Sequence, residues 1–202
     1  MKLVVASSNP GKLREFDALL KPLGWEAVPQ KTLGVAECAE PHATFVENAL
    51  EKARHAARCT GLPALADDSG LCVHALGGAP GVHSARYAQS SPDAAKSDAQ
   101  NNEKLIAELA KQSDRRAHYV CALVFLRHAD DPQPIITEGE WHGEIILEPR
   151  GQGGFGYDPY FWLPERGLTV AELDPAEKNR GSHRGLALQS LVLRLQARYK
   201  PA

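Results

Sequence analysis

Short apolar runs alternate with stretches of helical period along this chain, the pattern of an α/β protein. Leu3-Val4-Val5-Ala6 predicts a first strand. Leu13, Phe16, Leu19 and Leu20 recur at helical spacing, with Asn9 suited to the N-cap and Pro10 to the first helical position. Trp25 to Val28 reads as a second, less buried strand. Thr44-Phe45-Val46-Glu47 is a capping box that opens the clearest helix, whose apolar face is Val46, Ala49, Leu50, Ala53, Ala56 and Ala57. Ala64-Leu65-Ala66 reads as a buried strand that stops in the turn chemistry of Asp67-Asp68-Ser69-Gly70 and resumes at Leu71-Cys72-Val73. Ser91-Pro92 is expected to open a helix with Leu105, Ile106 and Leu109 on its stripe and an exposed, polar first half. Tyr119 to Leu126 is a strand buried on both faces. A solvated Asp130-Asp131-Pro132 turn leads from it to an antiparallel neighbour, Ile135 to Trp141. Leu188, Leu191, Val192 and Leu195 mark the last helix.

No repeat, low-complexity tract or linker interrupts the pattern. The expectation is a single domain over 1–202: an elongated mixed β-sheet flanked by helices, with two lobes and a central substrate cleft.

Charge narrows the function. Lys+Arg 23 against Asp+Glu 25 leaves a net charge of -2, which argues against a dedicated duplex-binding protein but leaves room for a local basic pocket for a small anion. Cys38, Cys59, Cys72 and Cys121 stand apart with no Cys-x-x-Cys, so buried free thiols are expected rather than disulfides or zinc. Met1-Lys2 is followed by only four apolar residues before Ser-Ser-Asn-Pro, too few for a signal-peptide core, and no run approaches a membrane span. The expected compartment is the cytoplasm, with no membrane partner.

Four segments carry candidate chemistry. Adjacent Asp67 and Asp68 repel each other, and a hard divalent cation such as Mg²⁺ is the usual compensation; a solvated turn is the alternative. Ser7-Ser8-Asn9-Pro10-Gly11-Lys12 joins a strand to a helix N-terminus, the layout of an anion site, or else is a plain turn with a solvated lysine. On the second helix Glu47, Glu51, Lys52, Arg54 and Arg58 read mostly as solvated partners, with Lys52 alternatively reaching a phosphate. Gly151 to Asp158 matches G-x-G-x-x-G, but Asp158-Pro159 and the strand-like Tyr160-Phe161-Trp162 exclude the long helix that a dinucleotide fingerprint opens. Phe155 among glycines suits stacking on a planar ligand. Finally, Glu177-Lys178-Asn179 and Ser182-His183-Arg184-Gly185 form a basic segment ahead of the last helix, either a surface turn or a site for an anion or an acceptor-rich base. None of the eight histidines falls in H-E-x-x-H spacing. Together these features describe a nucleoside triphosphate held by metal and lysine at one end and by stacking at the other.

In order along nearly the whole chain, these segments, with Thr44 to Ala49, Gly77 to Gly81 and Ser84 to Tyr87, resemble the noncanonical purine nucleoside triphosphate pyrophosphatases, the Ham1-like family of inosine/xanthosine triphosphate pyrophosphatases. The resemblance implies a two-lobed α/β homodimer. It also implies Mg²⁺-dependent cleavage of dITP/ITP and XTP/dXTP to the monophosphate and pyrophosphate, which keeps these bases out of DNA and RNA. Asp68 would be the base that activates water and a metal ligand, with Glu40 the second ligand. Ser69 would touch substrate, and Ser7, Ser8, Asn9, Pro10, Gly11 and Lys12 would hold the phosphates. Phe155, Gly156, Tyr157, Asp158, Lys178, His183 and Arg184 would recognise the base. Ser8 stands where many relatives are expected to have glycine.

Overall fold

The computed structural model describes residues 1–91 and 94–199. Among these residues seven strands form one mixed sheet: β1 (Lys2–Val5), β2 (Glu26–Pro29), β3 (Ala64–Val73), β4 (Arg116–Leu126), β5 (Ile135–Ile145), β6 (Phe161–Leu163) and β7 (Leu168–Thr169), in the order β2-β1-β3-β4-β5-β6-β7. β1 pairs parallel with β2 and β3, and β6 pairs antiparallel with β5 and β7. The helices are α1 (Pro10–Leu20), α2 (Phe45–Thr60), α3 (Asp98–Leu109), α4 (Pro175–Gly181) and α5 (His183–Tyr199).

The chain divides into two compact units. The first comprises Met1–Asp68, Cys121–Gly139 and the chain from Arg184 onward; the second comprises Ser69–Val120 and Glu140–His183.

In the first unit the period-2 alternation of the strands sorts side chains onto two cores. Leu3, Val5, Leu65, Leu123 and Phe125 pack with Phe16 and Leu20 of α1 and with Leu188, Leu191 and Leu195 of α5. Val4, Ala6, Ala64, Ala66, Val124 and Leu126 pack with Ala49, Ala53, Ala56 and Ala57 of α2, whose small side chains allow that helix to lie close on the sheet. The predicted caps form. The Asn9 side chain accepts from the Gly11 and Lys12 amides, and Thr44 accepts from the Glu47 amide. In the second unit one core gathers Leu71, Val73, Tyr119, Ile145, Phe161 and Leu163 with Leu105 and Leu109 of α3.

Several expectations need correction. β3 does not stop at Asp67-Asp68-Ser69-Gly70 but runs through it to Val73. The turn preference of those residues yields because lysines neutralise both carboxylates and the strand is packed on both faces. α3 begins at Asp98 with Ser97 as its cap, and Pro92 lies outside the described residues. In the polar first half of α3, Asp98, Ala99, Gln100 and Glu103 are exposed as expected, but Asn101 and Asn102 are buried. Asp131 is not solvated either: it is 2% exposed and accepts from the Arg127 amide at 3.0 Å, Arg127 Nε at 2.8 Å and the Gln133 amide at 3.0 Å. Glu177-Lys178-Asn179 is helical, within α4. All four cysteines are free, as expected, but only Cys121 is buried and Cys59 is exposed.

Candidate active site

β1 ends at Val5, and its last partners on β3 are Ala64 and Leu65. Asp67 and Asp68 therefore lie just past the carboxyl end of β1, where the Ser7 to Lys12 segment leaves it. Carboxyl ends of parallel strands are where open α/β sheets place ligands.

The alternation that sorts the core also separates the two acids. Asp67 shares its face with Leu65, toward α1 and α5, and Asp68 shares its face with Ala66, toward α2. Asp67 is 2% exposed and meets Lys12 Nζ at 2.7 Å and Arg184 Nε at 3.5 Å. Burial works against its charge, but Lys12, Arg184 and Lys52 outweigh it and hold the carboxyl well below the usual range. Arg184 Nη1 also reaches Glu15 at 3.2 Å. The cations that the sequence places at helix N-termini are thus balanced by the protein's own acids.

Asp68 is raised above the usual carboxylate range, chiefly by burial; Lys52 opposes the shift, and Glu40 and Asp67 add to it. Lys52 Nζ donates to Asp68 at 3.0 Å and to Glu40 at 2.7 Å. Its side chain is 12% exposed, and despite burial these acids raise its pKa. Lys52 is thus a buried bridge, not a solvated partner. Asn48, fully buried, ties the pair to the loop that carries Glu40. Its Nδ2 donates to Asp68 at 3.3 Å and to the His42 carbonyl at 3.2 Å, and its Oδ1 accepts the His42 amide at 3.0 Å. Sequence reasoning gave neither Asn48 nor Lys52 this role. The signal was their spacing of four in α2, which puts both on the helix face that carries Ala49, Ala53 and Ala56.

Glu40 and Asp68 fit a hard divalent cation: both carboxylates converge within 3.0 Å of one ammonium. Among the described residues no group of three or more His, Cys, Asp or Glu side chains is arranged to hold a metal. A cation here would rest on two carboxylates and complete its shell with water and phosphate oxygens, the habit of Mg²⁺.

Around the helix N-terminus, Asn9 Oδ1 already accepts the Gly11 amide at 2.8 Å and the Lys12 amide at 3.2 Å, and Ser7 Oγ accepts the Asn9 amide at 3.2 Å. The Ser8 hydroxyl donates to Glu37, so this serine links the segment to the loop that also carries Glu40.

In the second unit Asp158, 4% exposed, organises the glycine loop. It accepts from the Phe155 amide at 2.8 Å, from Lys178 Nζ at 2.5 Å and from the Tyr119 hydroxyl at 3.3 Å. A Cβ on Gly154 would fall 2.0 Å from the Asp158 carboxylate, which explains that glycine. Lys178 Nζ stands 4.6 Å from the centre of the Phe155 ring, which is half exposed. His183 stacks on Tyr119, ring centres 4.8 Å apart and planes inclined by 15°. Ser69 follows Asp68 in β3 and is half-buried. The structure thus brings Lys12, Asp67 and Arg184 together, Glu40, Lys52 and Asp68 together, and Phe155, Asp158 and Lys178 together.

The family model described as "Ham1 family" matches residues 3–193. The chain belongs to the Ham1 family. A Ralstonia nicotianae protein named dITP/XTP pyrophosphatase is 67% identical, with 96% of each chain covered. A Burkholderia pseudomallei protein of the same name is 64% identical, over 96% of this chain and 93% of that one. Among solved structures, a HAM1 protein from Coxiella burnetii superposes with a TM-score of 0.91 at 49% identity, covering 98% of this chain and 99% of the other. The mixed sheet and its flanking helices are therefore the Ham1 fold. Among the described residues no helix is long and apolar enough to cross a membrane.

Proposed function

We propose that this Ham1-family chain hydrolyses dITP/ITP and XTP/dXTP to the nucleoside monophosphate and pyrophosphate, as a cytoplasmic homodimer that clears these nucleotides before they enter DNA or RNA. The observation that carries the reading is the buried Asp68 carboxylate, oriented by Asn48 and Lys52 beside Glu40. Its relatives named dITP/XTP pyrophosphatase support the substrate class.

Asp68 accepts a proton from the water that attacks the α-phosphorus. The bond from that phosphorus to the α–β bridging oxygen breaks, and the electron pair leaves with pyrophosphate. Burial lifts Asp68 toward the proton affinity that a general base needs, and the Lys52 ammonium opposes the shift. Lys12, with the Ser7 to Gly11 segment, holds the polyphosphate, and Ser69 contacts substrate. Mg²⁺ held by Glu40 and Asp68 would neutralise polyphosphate charge and stabilise the departing pyrophosphate.

Phe155 stacks on the base, and Gly156, Tyr157 and Asp158 shape its surroundings. Lys178 and His183 supply donors to a 6-keto purine; Arg184, expected to join them, is instead held by its ion pairs with Asp67 and Glu15, on the same carboxylate that Lys12 meets. An adenine amino group would set donor against donor and leave buried groups unpaired, at about 1–3 kcal/mol each.

The test is product analysis with Mg²⁺ and inosine, xanthosine, guanosine and thymidine triphosphates. Pyrophosphate released from the inosine and xanthosine forms supports the reading. Free phosphate would overturn α–β cleavage, and intact triphosphate after long incubation would overturn turnover altogether. Light scattering of the eluted protein tests the homodimer.

A further inference from the structure

The polar first half of α3 has no counterpart in the chemistry above, yet it is built against the glycine loop. Asp98 Oδ2 accepts the Gly156 amide at 2.7 Å, and Asn102 Nδ2 donates to the Gly156 carbonyl at 2.9 Å. Spacing of four places both side chains on one helix face, so α3 grips the two polar ends of a single residue. Gly156 has φ +62°, a left-handed conformation that side-chain-bearing residues rarely adopt, and both of its backbone groups are held in that one orientation.

Asn102 is 8% exposed, and its Oδ1 has no hydrogen-bond partner among the described residues. Burying an amide with half of its capacity unmet is costly, and the bond from its other half to Gly156 is what offsets the cost. The next turn residue is fixed as well: the Tyr157 hydroxyl donates to the Ser84 carbonyl at 2.8 Å. Phe155 nonetheless keeps about half its surface exposed, 52%. An apolar ring is therefore left in solvent on a turn whose backbone is locked on both sides.

We propose that Asp98 and Asn102 are positioning residues for base recognition: a clamp from α3 that fixes the Phe155 ring and, through Asp158, the Lys178 ammonium before substrate arrives. The inference rests on the base-recognition role proposed for Phe155 and Lys178. Preorganisation of this kind lowers the ordering cost of binding, so its loss weakens binding rather than slowing a bound complex.

The experiment measures kcat and KM for inosine triphosphate, the ratio of kcat/KM between inosine and guanosine triphosphates, and thermal melting. Asp98→Ala and Asn102→Ala are expected to raise KM by about 10-fold with kcat changed by less than about threefold, and to narrow the inosine-to-guanosine ratio. Asp98→Asn should restore nearly normal KM, because an amide oxygen also accepts the Gly156 N–H. Asn102→Asp, though equal in size, should not, because its carboxylate confronts the Gly156 carbonyl. Asp98 is exposed, so its variants report even if those at Asn102 fail to fold. Unchanged KM in Asp98→Ala overturns the clamp, as does an equal loss of kcat and KM that follows melting temperature alone. Phe155→Ala separates the two failures. If it raises KM while the Asp98 and Asn102 variants do not, only the clamp falls. If it changes neither KM nor the ratio, the base-recognition reading falls and the clamp falls with it.

Discussion

Asp67 and Asp68 are consecutive in β3 and leave it on opposite faces, the first pairing with Lys12 at 2.7 Å and the second with Lys52 at 3.0 Å. Their functions should separate on mutation. Asp68→Asn removes a base whose charge burial already disfavours, so kcat should fall by roughly 10²–10⁴-fold while triphosphate binding and melting temperature hold. Asp67→Asn leaves Lys12 and Arg184 without their shared buried counter-charge, and should cost about 3–5 kcal/mol of stability. Urea denaturation and single-turnover kinetics on the pair check both outcomes; similar behaviour of the two variants would contradict the division.

Lys52 occupies with its ammonium the position where Glu40 and Asp68 converge. Lys52→Met should therefore leave two uncompensated carboxylates and tighten Mg²⁺ binding to the free protein while reducing turnover. Glu40→Gln should weaken that binding. Calorimetric Mg²⁺ titration without nucleotide measures both, and looser binding in Lys52→Met would contradict the convergence.

Lys178 bridges Asp158 and the Phe155 face. Lys178→Ala is expected to raise KM for inosine triphosphate by about 10-fold with kcat within about threefold. Steady-state kinetics decide it, since a fall in kcat at unchanged KM would place Lys178 in the chemical step.

Asp131 is held below the usual carboxylate range by the Arg127 side chain and by turn amides. A depressed carboxyl stabilises the fold above its unfolded value, and the contribution is lost as pH falls through the lower folded value. Asp131→Asn should thus lower melting temperature most near neutrality, and the gap to the parent should begin to narrow as pH drops below about 4. Melting curves from pH 7 to pH 3 test this; a gap that widens in acid would reverse the assignment.

The helix starts at Asn9-Pro10 and Thr44 were readable because caps act locally, over three or four residues. The buried run of β4 was readable because its length and polarity are local as well. What the chain did not disclose were pairings across distance. Asp-Ser-Gly resembles a turn until Lys12 and Lys52 are seen neutralising the acids before it. Lys52 resembles a surface residue until Asp68 lies across from it. Asn101 and Asn102 look like a wetted helix face because their partners, Ala88 and Gly156, come from other parts of the chain. In each case the residue type was right for two environments, and only tertiary contact chose between them.

Glu15 and Arg184 stand 169 residues apart in sequence and meet at 3.2 Å. A nascent chain synthesised only as far as α4 would present Lys12, Asp67 and Glu15 without the guanidinium that completes their charge balance. The electrostatic assembly around Asp67 is therefore among the last things translation can supply, and a ribosome-bound fragment would lack it however well its early strands had paired.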